Sequence, residues 1–488
     1  MELVKKVGPV VVFLVGFVFW ISLLFRFEVT LSTKQIQQQV DPKHLTTQWY
    51  ELSAQKWANP WLFAYKVASI EQAFNDEMIQ KQAWDQRIFN SYALPLARVS
   101  LAANWQKKWL LYFLSSFGLM VLGGVLHALT QTPKGGSLRN SGIFNPIWKK
   151  VGWVIGSFLI AFYVILYFYP HYLINWILLL DPISRLLNGG DASQWFLYGV
   201  LYTLAVLVMG LRMLIKYQDI PYQKYRTLSV MFFQTIFAFL IPEILSALQL
   251  PSADLKHMWP LDYAFFFDYR LEAKLAGGTL GVFLLVWGIA LFAVGVPVFT
   301  YLYGKRWYCS WVCGCGGLAE TLGDPFRQLS NKSTKAWQWE RIIIHSVLIF
   351  AVIMTAAVVY HFVTGKSTVL GFISVDNLKY YYGFLIGSIF SGVVGTGFYP
   401  LMGNRVWCRF GCPLAAYLGL VQRWKSRFRI TTNGGQCISC GNCSVYCEQG
   451  IDVRAYAQKG QDIVRASCVG CGICSAVCPR GVLKLENK

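Results

Sequence analysis

Cysteine is missing from most of the chain: none of its 13 cysteines precedes Cys309. That pattern excludes a disulfide scaffold, which spreads its cysteines through a small secreted domain. Charge is scarce too, at 14% of residues, where a soluble domain carries about 25%. Acids are the rarer sign, with 24 Asp and Glu against 44 Lys and Arg, for a net charge of +20. Such a surplus invites a nucleic-acid reading, but the basic residues sit in short loops between apolar runs. Membrane proteins distribute their positive charge in this way, so nucleic acid is set aside as a partner and the lipid bilayer takes its place.

In place of charge there is apolar surface: 55% of residues are hydrophobic, including 34 Phe, 26 Tyr and 19 Trp. About eight stretches reach the roughly 20 apolar residues that a spanning helix needs. They lie near 8–25, 109–129, 151–169, 195–215, 228–248, 279–303, 342–363 and 381–402. The first follows Lys5 and Lys6 and runs into Arg26, Phe27 and Glu28 without a small-residue cleavage site, which reads as an uncleaved signal anchor. With eight spans, the loops holding Lys134, Arg139, Lys149 and Lys150, then Lys216, Lys224 and Arg226, then Lys305, Arg306 and Arg327, and finally Arg405 and Arg409 fall on one side. Both termini are therefore expected in the cytoplasm. The expected organisation is a signal-anchor helix (1–26), an extracytoplasmic, mainly helical insert (27–108), a membrane helical domain (109–403) and a cytoplasmic cluster-binding domain (404–488).

The most specific signal closes the chain. Cys437, Cys440, Cys443 and Cys447 form C-x2-C-x2-C-x3-C, and Cys468, Cys471, Cys474 and Cys478 repeat it, followed by Pro479. Three thiolates on a tight loop suit three irons of a cubane, and the fourth cysteine reaches the other cluster. One 4Fe-4S cluster then falls on Cys437, Cys440, Cys443 and Cys478, and the other on Cys468, Cys471, Cys474 and Cys447. Zinc needs only four thiolates at looser spacing and does not account for the full repeat. Gly441, Gly470 and Gly472 leave room for backbone at such loops. Glu448 stands where a proline often follows the fourth cysteine.

Two shorter motifs lie where apolar spans end. Cys309 and Cys313 form one C-x3-C pair, with Cys315 close behind, and Cys408 and Cys412 form another, followed by Pro413. The spacing predicts two thiols on one helical face in each pair. At matching depth, the four either hold a third iron–sulfur cluster or form a redox disulfide. Glu243, a carboxylate within an apolar span, and the histidines His127 and His345 are candidates for contact with quinone.

Paired C-x3-C motifs at helix ends, followed by a double 4Fe-4S module, resemble the membrane polyferredoxins. That group includes the NapH subunit of periplasmic nitrate reduction, the NosR protein of nitrous oxide reduction and the CcoG/FixG accessory protein of oxidase assembly. The likeness covers about 279–488; Cys313-Gly314-Cys315 departs from the family's Cys-Pro, and residues 27–278 match no family. It implies a polytopic α-helical membrane protein of the bacterial inner membrane, ending in a bacterial-type α+β 2x4Fe-4S ferredoxin domain. The implied activity is electron transfer between the quinone pool and redox partner proteins, as in a quinol-dehydrogenase-like oxidoreductase component. The family also offers a reductase for metalloenzyme or oxidase assembly, and a redox-sensing regulator.

Overall fold

The computed structural model describes residues 2–132, 146–251 and 254–487, and it is almost entirely helical. Among the described residues, seven helices are long and apolar enough to cross a membrane: Lys6–Leu23, Lys107–Gln131, Val151–Phe168, Gln194–Lys216, Pro221–Ala247, Gly278–Tyr303 and Thr334–Thr364. This is the pattern of a multi-pass membrane protein. The stretch expected as an eighth span is helical over Val375–Tyr382, Gly383–Val394 and Gly395–Gly397, and a separate turn follows at Tyr399–Met402. Its tyrosines and glycines keep it out of the apolar set. The loop charges Lys134 and Arg139, and the side chains of Lys149 and Lys150, lie outside the described residues.

The chain gathers into two compact units, Met1–Thr130 with Val164–Leu201, and Gln131–Tyr163 with Tyr202–Lys488. In the first unit, helix α1 (Glu2–Leu23) packs closely on the helix that ends at Gln131. A Cβ on Gly16 would lie 2.8 Å from Leu119 Cβ, and one on Gly123 would lie 2.5 Å from the Phe13 nitrogen. Small residues let two backbones approach where the hydrophobic effect supplies no drive. The last turn of α1 leaves carbonyls without helical partners. Asn175 Nδ2 donates to the carbonyls of Leu23 (2.6 Å) and Arg26 (2.8 Å), and Trp176 Nε1 donates to that of Trp20 (2.7 Å).

The polar insert is helical, as its composition predicts, and its longest element within 27–108 is α2 (Pro60–Gln80). Asn59 caps α2 by accepting from the Leu62 amide at 3.0 Å, and Pro60 takes the first turn, where a missing N–H costs nothing. The buried Glu71 on α2 accepts from the Tyr92 amide (2.7 Å) and the Ser91 hydroxyl (3.1 Å). Arg98 clamps Asp181 with two bonds of 2.9 Å.

In the second unit, Gly152 meets the Pro400 carbonyl and Gly397 meets Ile160 at distances that leave no room for a side chain. The longest helix, α3 (Thr334–Thr364), starts on a Ser333 cap. Helix α4 (Pro413–Lys425) leads into strand β1 (Phe428–Thr432), which pairs antiparallel with β2 (Leu483–Asn487) in the register Phe428 to Asn487. That pairing joins the two ends of the cysteine-rich module.

Burial pushes the Glu71 carboxyl up to about 6, against the bonds from Tyr92 and Ser91. A raised folded value means full stability below the ordinary carboxylate range and loss as pH rises through about 6. Hydrogen-exchange protection at residues 91–97, corrected for intrinsic exchange, should weaken across that window. Glu71→Gln keeps the accepting oxygen and should abolish the pH dependence.

Candidate metal centres

The eight cysteines of the double motif lie in one small module, where thiols from its two runs come together. Cys437, Cys440, Cys443 and Cys478 line one pocket. Cys474 lies near Cys471, Cys468 and Cys447, and near Cys443 of the first run. Each run is a loop followed by one short helical turn, Asn442–Val445 or Ile473–Ala476, entered through a left-handed glycine, Gly441 (φ 80) or Gly472 (φ 73). Gly472 also faces Tyr222 so closely that a Cβ would come within 2.9 Å of the ring. The antiparallel β1–β2 pair brings Cys478 back to the first loop.

The two loops sit in different surroundings. The second is held down by the helical part of its own unit. Tyr222 donates to the Gly470 carbonyl (2.8 Å), Gln223 to Cys471 (2.8 Å) and Ser310 to Val469 (2.7 Å). Lys305 donates to Ala466 (2.9 Å), and Gln422 donates to Arg465 (2.7 Å) and Cys468 (2.9 Å). The first loop leaves Cys440 exposed and Ile438 at 56% exposure.

Cys309, Cys313, Cys408 and Cys412 meet in one buried core, against which Cys315 and Cys471 also pack. The expectation that each C-x3-C pair shares a helical face is corrected. Cys309 ends the turn Arg306–Cys309, whereas Cys313 is the extended N-cap of the helix Gly314–Thr321. Cys408 lies in Trp407–Gly411, and Cys412 is the extended N-cap of α4. Proline forbids helical backbone at the residue before it, so Pro413 breaks the pair and starts the next helix. Cys412 Sγ then accepts from the Ala415 amide at 3.4 Å. That bond favours a thiolate, but burial outweighs it and holds the Cys412 thiol well above its usual range. Cys-Pro is thus a cap signal that the i,i+4 reading missed.

These thiols have the surroundings of metal ligands. Burial pushes Cys309, Cys443 and Cys468 up to about 12, so forming their thiolates requires cations or a metal. Cys315 donates to Cys313, and that bond chiefly brings Cys313 down to about 6. Arg405 Nη1 lies 3.8 Å from Cys408 Sγ. Behind them runs a buried ion network. Asp324 pairs with Arg212 (2.8 Å), Lys216 (2.7 Å) and Arg327 (2.8 Å). Glu320 pairs with Arg226 and Arg405 (2.6 Å each) and with Arg327. Glu448 pairs with Arg327 (2.8 Å) and Arg405 (3.0 Å). Burial alone would raise Glu320, but the three arginines hold its carboxyl well below the usual range. Cys471 Sγ lies within 4.8 Å of oxygens of Glu320 and Glu448. Five cations around three carboxylates leave two positive charges over, which suits anionic thiolate clusters.

The 4Fe-4S binding domain model matches 284–333 and 383–431, and the 4Fe-4S dicluster domain model matches 436–483. YccM of Escherichia coli strain K12, provisionally named an electron transport protein, is 28% identical over 30% of this chain and 43% of its own length. MauN of Methylobacillus flagellatus, a methylamine utilization ferredoxin-type protein, is 27% identical over 32% of this chain and 52% of its own length. The chain thus carries 4Fe-4S ferredoxin-type domains and is similar to polyferredoxin-like electron-transport proteins. The matched part spans about half or less of each of these relatives. No solved structure matches the chain significantly. The regions matched by the domain models contain all 13 cysteines of the chain. Of the residues weighed for quinone, His345 lies on α3 with Nδ1 2.6 Å from the Arg341 carbonyl, and Glu243 lies in Ile241–Ala247.

Removing one member of a buried charge network leaves its partners uncompensated, at about 3–5 kcal/mol. Arg327→Met should therefore lower stability by about that much, read from the guanidinium midpoint at which cluster absorbance is lost. A shift below about 1 kcal/mol would mean that water reaches the network.

Proposed function

We propose that this chain is an electron-transfer protein of the bacterial inner membrane, with both termini in the cytoplasm. Two 4Fe-4S clusters are assigned to the ferredoxin module, one on Cys437, Cys440, Cys443 and Cys478, the other on Cys468, Cys471, Cys474 and Cys447. A third iron–sulfur cluster is assigned to Cys309, Cys313, Cys408 and Cys412. Clusters held there supply one-electron transfer, with no covalent step on the protein.

The continuity of the three quartets carries this reading. Cys471 packs against the core that holds the four C-x3-C thiols. Cys468, Cys474 and Cys443 share the next core, with Cys437 and Cys447 against it. The series ends at the exposed Cys440. One end therefore lies by the ends of apolar helices and suits a quinone of the bilayer. The other suits a soluble redox partner protein. The chain's residues fix the order of the quartets, shield the inner ones from water and supply the surrounding positive charge. The orientation rests on the basic loops and on an eighth crossing by the helical stretch from Val375.

Anaerobic purification, iron and sulfide counting and reoxidation by a menaquinone analogue form the test. About 12 irons per chain are expected, and about 8 would remove the third cluster. Quinone should reoxidise the reduced protein fast and saturably, and Cys412→Ser should abolish that reaction while leaving about 8 irons. A slow, unsaturable reaction would end the quinone assignment. Cys440→Ser should perturb one ferredoxin cluster's electron paramagnetic resonance signal and leave the other.

A further inference from the structure

A cavity of about 230 Å³ lies beside the first turns of α3, and its function is not explained by the quartets. Its charged lining is one-sided. Lys305, Arg341, Arg423 and Arg465 face it with one carboxylate, Glu340, which Arg409 already holds at 3.0 Å. Among the described residues, Arg341, Arg423 and Arg465 form no ion pair. Arg341 and Arg465 instead lie over the ring of Trp337, at 4.6 and 4.2 Å from its centroid. Three guanidinium groups around one cavity make a receptor for an anion, and guanidinium matches phosphate oxygens in geometry as well as charge.

The level of the cavity says which anion. Trp339 (62% exposed) and Trp424 (73%) stand next in the chain to the lining residues Glu340 and Arg423, and tryptophan with arginine at the end of an apolar helix marks the headgroup layer. Beyond that point α3 shows Ile342, Ile349 and Ile353 on its outside, each more than half exposed. Ile344 and Leu420 line the cavity itself, so its wall passes from cationic to apolar. That order matches a phospholipid, phosphate first and acyl chain after. Cys408 also lines the cavity.

We propose that this cavity binds the phosphate headgroup of an anionic phospholipid, which covers Cys408 and clamps the ferredoxin module to the bilayer surface. Arg465, three residues before Cys468, supplies the clamp from the module side, and Arg341 and Arg423 supply it from the helices. The proposal does not depend on the electron-transfer route, and failure of either leaves the other standing.

The test uses the full-length protein, delipidated in detergent with its clusters intact. Binding of phosphatidylglycerol, phosphatidylcholine and inorganic phosphate is compared by native mass spectrometry and thermal shift. Phosphatidylglycerol should bind saturably, phosphatidylcholine far more weakly, and inorganic phosphate should not compete at equal concentration. The double variant Arg341→Gln with Arg423→Gln, both exposed, should weaken phosphatidylglycerol roughly thirty-fold without loss of iron. Arg454→Gln, at the pocket lined by Cys437, Cys440, Cys443 and Cys478 and not at this cavity, should leave binding unchanged. If the double variant loses iron, Arg341→Lys with Arg423→Lys keeps the charge and should retain lipid. Equal binding of inorganic phosphate and lipid would assign the cavity to a soluble anion and overturn the proposal. So would undiminished lipid binding by the double glutamine variant.

Discussion

The buried network of Glu320, Asp324 and Glu448 with Arg212, Lys216, Arg226, Arg327 and Arg405 is the constraint on which the second unit depends. Burying charge is costly unless every group is paired, and a half-paired network is worse than an apolar core. Here each carboxylate has at least two cationic partners, and Arg327 joins all three. The partners come from helices far apart in the chain and from the cysteine-rich module. Satisfying the charges therefore sets where the module docks. The same network carries the positive surplus that buried thiolates need, so placing the module and compensating its charge are one solution.

Glu448 shows how closely these demands are joined. It follows the fourth cysteine of the first motif, where a proline would have neither charge nor amide. As glutamate it is fully buried, accepts hydrogen bonds from Arg327 and Asn404, and forms an ion pair with Arg405. Its backbone carbonyl accepts from Ser330 at 2.7 Å. What looks like a departure from a motif is a link between the module and the helices.

The two cysteine loops have similar spacing and opposite roles in packing. Residues 465–471 are fastened by side chains from three separate helical segments, while the loop around Cys440 faces outward. Local sequence barely distinguishes them. The difference lies in Tyr222, Gln223, Ser310 and Gln422, ordinary polar residues whose hydrogen bonds are long-range.

Much was legible without coordinates. Apolar runs of spanning length mark most of the membrane helices, because lipid forces the backbone to satisfy itself within each helix. The cysteine spacing marks the ferredoxin module, because a cubane demands a tight loop. Other features were not local and stayed hidden. The break within each C-x3-C pair depends on the cap of the helix that follows it, and in the second pair on Pro413. The stretch from Val375 is helical but falls short of the others in apolar character. The ion network joins residues more than a hundred positions apart, such as Arg327 and Glu448. Spacing along the chain determines which side chains a short loop can converge on a metal. Only tertiary packing decides which distant charges are buried together, because desolvation penalises any arrangement that leaves one of them unpaired.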